Sequence, residues 1–413
     1  MKIKNHRLLL GAMSLTLGVS LYSQAQPADK GVVTPKALQA TVPLFLENNR
    51  PHIDLVFTRP DGSTRKARFI LDTGGGAFIL AESLANDIGL KPTGPEAKEE
   101  GSRFAPTKVS SARVGDMELN LNNARSVIVL GQKSILTGDP AEGMMPGHLL
   151  ARYHVIFDYP AKKFTLAQPE ILKPRGARVA SPIGKNSGFP RIELQIDGAN
   201  YGFLLDTGAT FTMISIEALN AWGAKHTGWR RATGAVGGAN MMGGAMENAA
   251  TMMRLPEMRW AEFQLKGVAA VSRPKGTFET YMSQMMAQPI IGALGGNALR
   301  AFRIEIDYAN GVTYLEKTGS LEQNDLDIVG LTLRPSREGG YVISAVSKLA
   351  TGSLVDSVRE GDKLISVGNL QVTGAPLAEV IKALRGKIGS KKTLTLERDG
   401  KRITLQAVVA RIV

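Results

Sequence analysis

Two Asp-Thr-Gly triplets, Asp72-Thr73-Gly74 and Asp206-Thr207-Gly208, constrain the fold of this chain more than any other feature. Each follows an apolar run, Phe69-Ile70-Leu71 or Phe203-Leu204-Leu205. Each then leads through small residues into a second apolar run, Phe78-Ile79-Leu80 or Met213-Ile214. Asp and Gly are ordinary turn residues, so one such triplet reads equally well as a tight hairpin loop. Two in the same setting read as strand, acidic turn, strand, twice over.

The repeat extends beyond the triplets. Downstream of the first lies Gly147-His148-Leu149-Leu150-Ala151-Arg152-Tyr153-His154-Val155-Ile156-Phe157-Asp158-Tyr159, and downstream of the second, in register, Gly296-Asn297-Ala298-Leu299-Arg300-Ala301-Phe302-Arg303-Ile304-Glu305-Ile306-Asp307-Tyr308. The second copy is longer, with the extra length in its middle. Each copy opens with an alternating strand, His52–Phe57 or Arg191–Ile196. We therefore expect a mainly β protein with two similar lobes, residues 45–170 and 189–318, and a linker over 171–188. From about Leu326 the pattern changes: a glycine turn and strand at Gly339–Val346, a short helix, turn and strand at Ser353–Val367, a helix near Leu377–Arg385 and two closing strands. Residues 326–413 read as a separate α+β module.

Composition supports this division. A chain of 413 residues is long for one domain, and 45 glycines suit many short strands joined by turns. The net charge of +13 is scattered, without interleaved aromatic and basic residues, and excludes nucleic acid as an expected partner. Cysteine is absent, which excludes disulfides and cysteine-bound zinc. The cationic start with Lys2, Lys4 and Arg7, the apolar stretch Leu8–Tyr22 and the small residues before Ala25 read as a secretory signal over 1–25. That stretch is shorter than the ~20 residues of a spanning helix, and no later stretch is apolar enough to span. The expectation is an exported protein, periplasmic or extracellular after cleavage near Ala25. Residues 26–44 form an N-terminal extension whose first part, to about residue 40, reads as loosely attached.

If the lobes bring Asp72 and Asp206 face to face, two carboxyls about 3 Å apart cannot both ionise and share a proton. The ionised one can take a proton from a water between them, and the protonated one can stabilise charge on a substrate carbonyl. That chemistry suits peptide-bond hydrolysis. Gly74 and Gly208 allow close approach of the turns, and Thr73 and Thr207 can hydrogen-bond to the opposite turn. No phosphate loop, dinucleotide fingerprint or Ser-His-Asp set is present, so no cofactor and no metal are implied. Asp158 and Asp307 read as structural turn residues, and His148 and His154 as packed or solvated.

Residues 45–318 resemble retropepsin-type aspartic proteases, fused in tandem. The resemblance implies an aspartic endopeptidase in which Asp72 and Asp206 are catalytic, Thr73, Gly74, Thr207 and Gly208 support the turns, and Ala293-Leu294-Gly295 is a brace turn. Register puts Met144-Met145-Pro146 at the first brace, where proline removes a donor, and Gly75 stands where the family more often has Ala or Ser. The family's substrate-covering hairpin maps best onto Thr233–Gly244, with Gly237 and Gly238; the first copy offers Glu100–Phe104. Residues 326–413 resemble a PDZ domain, which implies capture of protein C-termini by strand addition at Gly339, Gly340, Tyr341, Val342 and Ile343. The implied partners are peptides or unfolded proteins. The competing reading is a catalytically silent peptide-binding scaffold that keeps the fold.

Overall fold

The computed structural model describes residues 37–99, 102–136, 138–233, 250–336, 339–347 and 357–413. The fold is mainly β and its lobes are built alike. In the first, strand Arg50–Thr58 pairs antiparallel with Thr64–Asp72, with His52 opposite Ile70. In the second, Arg191–Ile196 pairs with Ala199–Leu205, with Arg191 opposite Leu204. The second hairpin turns at Asp197 (φ 52°) and Gly198 (φ 79°), both left-handed as a tight hairpin of this twist requires.

After each triplet the chain re-enters the sheet, as Phe78–Ala81 or Thr212–Ser215. A third strand then inserts between the two, Gly143–Pro146 in the first lobe and Gly292–Leu294 in the second, parallel to the strand leading into the triplet. The second lobe has long unbroken strands at Thr251–Trp260 and Phe263–Arg273. The first lobe divides the same path into Ser102–Thr107 and Ser111–Val114, then Met117–Asn120 and Ser126–Val129. With Phe45–Glu47 added beside Arg50–Thr58, its sheet counts ten strands against seven among the described residues.

A six-stranded sheet ties the lobes together. Its order is Gln39–Pro43, Lys163–Ala167, His154–Asp158, Phe302–Asp307, Val312–Lys317, Ala177–Ala180. The central pair is antiparallel, with His154 opposite Asp307 and Asp158 opposite Arg303, so the order is the same read from either edge inward. Both outer strands correct the sequence reading: Gln39–Pro43 came from the N-terminal extension and Ala177–Ala180 from the linker. Each is short and half exposed, so it carries little of the apolar pattern that marks a strand in sequence. Phe69, Leu71, Phe157, Phe203, Leu205, Leu294, Phe302 and Ile304 belong to one core that runs through both lobes.

The C-terminal module is built on a sheet of its own, in the order Leu331–Ser336, Gly340–Val346, Lys363–Val367, Lys391–Arg398, Lys401–Val408, with the helix Leu377–Leu384 packed against it. The Arg254 guanidinium on the second lobe donates to the Val413 carbonyl at 2.9 Å and to Asp325 at 2.7 Å. Leu377 N–H donates to the Gly138 carbonyl of the first lobe at 2.7 Å. Among the described residues no helix is long and apolar enough to cross a membrane.

The module's topology corrects the assignment of a peptide-binding strand. Gly339 precedes the second strand and Gly340 begins it opposite Ser336, and Tyr341, Val342 and Ile343 lie on this interior strand, bonded on both sides. Ile343 N–H is taken by the Asp362 carbonyl at 2.8 Å. An added strand needs the outer strand of a sheet, and among the described residues Leu331–Ser336 stands at the end of the order.

Candidate active site

The two triplets meet where the lobes face each other. Thr73 N–H donates to Thr207 Oγ1 at 3.1 Å, and Thr207 N–H to Thr73 Oγ1 at 3.0 Å. The hydroxyls pass their own protons onward, Thr207 to the Leu71 carbonyl at 2.6 Å and Thr73 to the Leu205 carbonyl. Both threonines are fully buried, so their polar groups need these partners, and the partners lie across the lobe boundary. One turn cannot shift without breaking bonds to the other.

This lock sets the carboxyls. A Cβ on Gly208 would lie 2.3 Å from Asp72 Cγ, and one on Gly74 2.9 Å from Asp206 Cγ. Each carboxyl thus stands over the opposite glycine, a position that no other residue would leave open. Gly74 N–H donates to Asp72 Oδ1 at 2.9 Å, and Gly208 N–H to Asp206 Oδ1 at 3.0 Å. Both aspartates stay partly accessible while the residues beneath them, Leu71, Thr73, Leu205 and Thr207, are buried. Burial, then the neighbouring Asp206, pushes the Asp72 carboxyl up to about 8. Burial also raises Asp206, against the lowering effect of the Ala209 and Gly208 N–H groups and of Arg50 and Arg273. The pair is built to hold a proton at pH values where isolated carboxyls have lost theirs.

The brace turns hold the triplets from below. In the second lobe Asp206 N–H donates to the Leu294 carbonyl at 3.1 Å and Gly296 N–H to Ala209 at 2.8 Å. In the first, Pro146 stands opposite Asp72 and Gly147 N–H donates to the Gly75 carbonyl at 3.1 Å. The expected weakness at Pro146 is matched by a second change. Gly295 N–H donates to Thr212 Oγ1 at 3.3 Å, and the first lobe has Phe78 where Thr212 stands, so donor and acceptor are absent together. Gly75 also has a local cause, since a Cβ there would lie 2.9 Å from Asp72 Cγ.

Other residues complete the surroundings of the dyad, and Arg50 among them escaped the sequence reading. Arg50, buried, donates from Nε to the Gly208 carbonyl at 2.8 Å, with Asp139 Oδ2 4.0 Å from its Nη1. Asn297 accepts from Thr212 N–H at 2.8 Å and Oγ1 at 3.1 Å and donates to Ala269. Its counterpart His148 is held neutral, pushed down to about 4 by burial and the nearby Arg152 and Arg125. His154 pairs with buried Glu305 at 2.9 Å. Asp158 and Asp307 cap turns, accepting from Ala161 and Asn310. No local signal marks Arg50 in the sequence; only strand pairing brings it beside the dyad.

The candidate covering hairpin in the second lobe has paired arms, Arg231–Thr233 against Thr251–Met253. Gly237 and Gly238 lie outside the described residues. In the first lobe Ala97–Glu99 and Ser102–Phe104 pair as a hairpin whose turn also lies outside them.

Residues 192–298 match the family model described as aspartyl protease. The matched span covers the second triplet, its brace and the strands between. No curated protein sequence matches the chain. Among solved structures, an aspartic proteinase from Irpex lacteus is 11% identical and aligns over 68% of this chain and 97% of its own, with a TM-score of 0.43. The PDZ domain of a carboxy-terminal protease from Vibrio cholerae, solved with a peptide, is 25% identical over 20% of this chain and 90% of its own, with a TM-score of 0.18. A photosystem II D1 C-terminal processing protease is 24% identical over 21% of this chain and 24% of its own, at 0.19.

Proposed function

We propose that the protein is an exported aspartic endopeptidase whose two lobes supply one aspartate each, with the C-terminal module recruiting peptide substrates or partners. The observation that carries this reading is the reciprocal seating of Asp72 and Asp206 over each other's glycine, locked by Thr73 and Thr207. One carboxylate takes a proton from water as the water oxygen bonds to the substrate carbonyl carbon. The protonated partner gives its proton to the carbonyl oxygen. The C–N bond then breaks, the amine leaves with the first proton, and the pair is restored. The outer position of Leu331–Ser336 in the module's sheet suits strand addition by an extended peptide, and tethering raises the local concentration of a captured chain.

The test is cleavage of an unfolded protein by the purified mature chain from acid to neutral pH. Wild type should cut, and Asp72→Asn and Asp206→Asn should each reduce the rate by orders of magnitude. A wild type as inert as both variants across that range would leave the silent scaffold as the reading. Export is checked separately by the N-terminal residue of the secreted protein, expected to be Gln26.

A further inference from the structure

The lobes are near-repeats, yet the dyad they enclose is not symmetric in charge. Ile70 and Leu204 stand at the same distance before their aspartates and pair with His52 and Arg191. In that register Arg50, which reaches the Gly208 carbonyl, is replaced in the second lobe by buried Phe189. Phe78 and Thr212 follow their aspartates at equal distance and pair with Ser126 and Ala270. There Arg273, buried at the end of its strand with Nε 3.0 Å from Met213 Sδ, is replaced in the first lobe by Val129.

The backbone adds to the difference. Asp206 Oδ1 accepts from two N–H groups, Gly208 at 3.0 Å and Ala209 at 3.1 Å. Asp72 Oδ1 accepts from Gly74, while Gly75 N–H turns back to the Asp72 backbone carbonyl at 3.1 Å. Donors aimed at a carboxylate favour its charged form.

We propose that this asymmetry places the dyad's single proton on Asp72 and leaves Asp206 as the carboxylate that deprotonates water, with Arg273 as a positioning cation for Asp206. The assignment rests on the peptidase reading and gives each aspartate its own part. Asp206 accepts the water proton and later delivers it to the leaving amine. Asp72 donates to the carbonyl oxygen and recovers its proton as the tetrahedral species collapses.

The remaining charged and titratable neighbours do not reverse this. Arg50 bears on both carboxyls, and Arg273 is a further lowering influence on Asp206. The buried hydroxyls of Tyr159 and Tyr308 occupy equivalent positions in the two copies and are both held neutral, by burial first and by one dyad carboxyl each second. Asp139 is held by His52 at 3.0 Å and faces Arg50. The brace strands Gly143–Pro146 and Gly292–Leu294 bring no charge.

The test reads protonation without turnover. In the full mature chain carrying 13C-labelled aspartate carboxyls, the two dyad signals are assigned by their loss in Asp72→Asn and Asp206→Asn. At about pH 6, between the ordinary carboxyl range and the raised upper step, the Asp206 signal should show a carboxylate shift and Asp72 an acid shift. Reversed shifts, or one averaged shift for both, would overturn the assignment. In the Asp72→Asn background, Arg273→Met should move the Asp206 midpoint upward by about one pH unit, and Arg273→Lys should restore it. An unmoved midpoint would remove Arg273 from the proposal. If Arg273→Met does not fold, Arg273→Gln in the same background reads the same midpoint, and an unmoved one removes Arg273 likewise. An inert wild type with the expected shifts would retire the peptidase reading and keep the proton placement; an active one with reversed shifts would do the opposite.

Discussion

At the scale of single residues, the site depends on two atoms that are absent, the Cβ of Gly74 and the Cβ of Gly208. Gly208→Ala would drive a methyl against the Asp72 carboxyl. We expect the variant to keep its fold by circular dichroism and to lose about 10²-fold in kcat, the scale of a misplacement near 1 Å. Proton binding carries a stability signature as well. Asp72 is raised from the ordinary carboxyl range to about 8, so the folded state holds a proton that the unfolded chain has released. Its contribution is complete below the unfolded value near 4 and is lost as pH rises through the folded value near 8. The Tm of Asp72→Asn relative to wild type should therefore rise between pH 4 and pH 8; a constant difference would contradict the raised affinity. The triplets and their threonines were legible because residue type alone carries their chemistry. Arg50 and Arg273 were not, because an isolated arginine has no meaning until strand pairing puts it beside a carboxyl and shows Phe189 and Val129 in its symmetric place.

At the scale of elements, the brace turns show how a departure from pattern is compensated. Pro146 lacks the N–H that Gly295 gives to Thr212, but Phe78 has no hydroxyl to receive one. Pro146→Gly should thus be tolerated, changing stability by about 1 kcal/mol or less through the unfolded chain. Gly295→Ala should be severe, because its methyl would lie 2.5 Å from the Phe211 carbonyl. Denaturant midpoints and cleavage rates of the pair check this, and equal damage at both positions would refute it. The paired strands and the inserted brace strand were readable from apolar runs and small residues. Gln39–Pro43 and Ala177–Ala180 were not, since edge strands bury too little to impose alternation. In the module, the strand at Gly340–Val346 and the two closing strands followed from the pattern, but Leu331–Ser336 and its place at the end of the order did not, since local sequence does not encode strand order.

At the scale of the whole molecule, the six-stranded sheet makes two lobes one body. Its buried charges are part of that joint. Glu305, with no exposure, bonds Arg303 at 2.7 Å and faces His154 from the other lobe at 2.9 Å. Those partners outweigh burial and hold its carboxyl below the usual range. Glu305→Ala would take from the buried Arg303 guanidinium its 2.7 Å partner and should cost about 3–5 kcal/mol in thermal or denaturant unfolding. A loss below about 1 kcal/mol, the scale of an exposed pair, would contradict that role. The central claim is that one chain supplies both halves of one hydrolytic site. Mixing purified Asp72→Asn with Asp206→Asn tests it most directly. If both aspartates of a site come from one chain, neither variant nor the mixture cleaves unfolded protein while wild type does; recovery of activity in the mixture would show a site shared between chains and contradict the account.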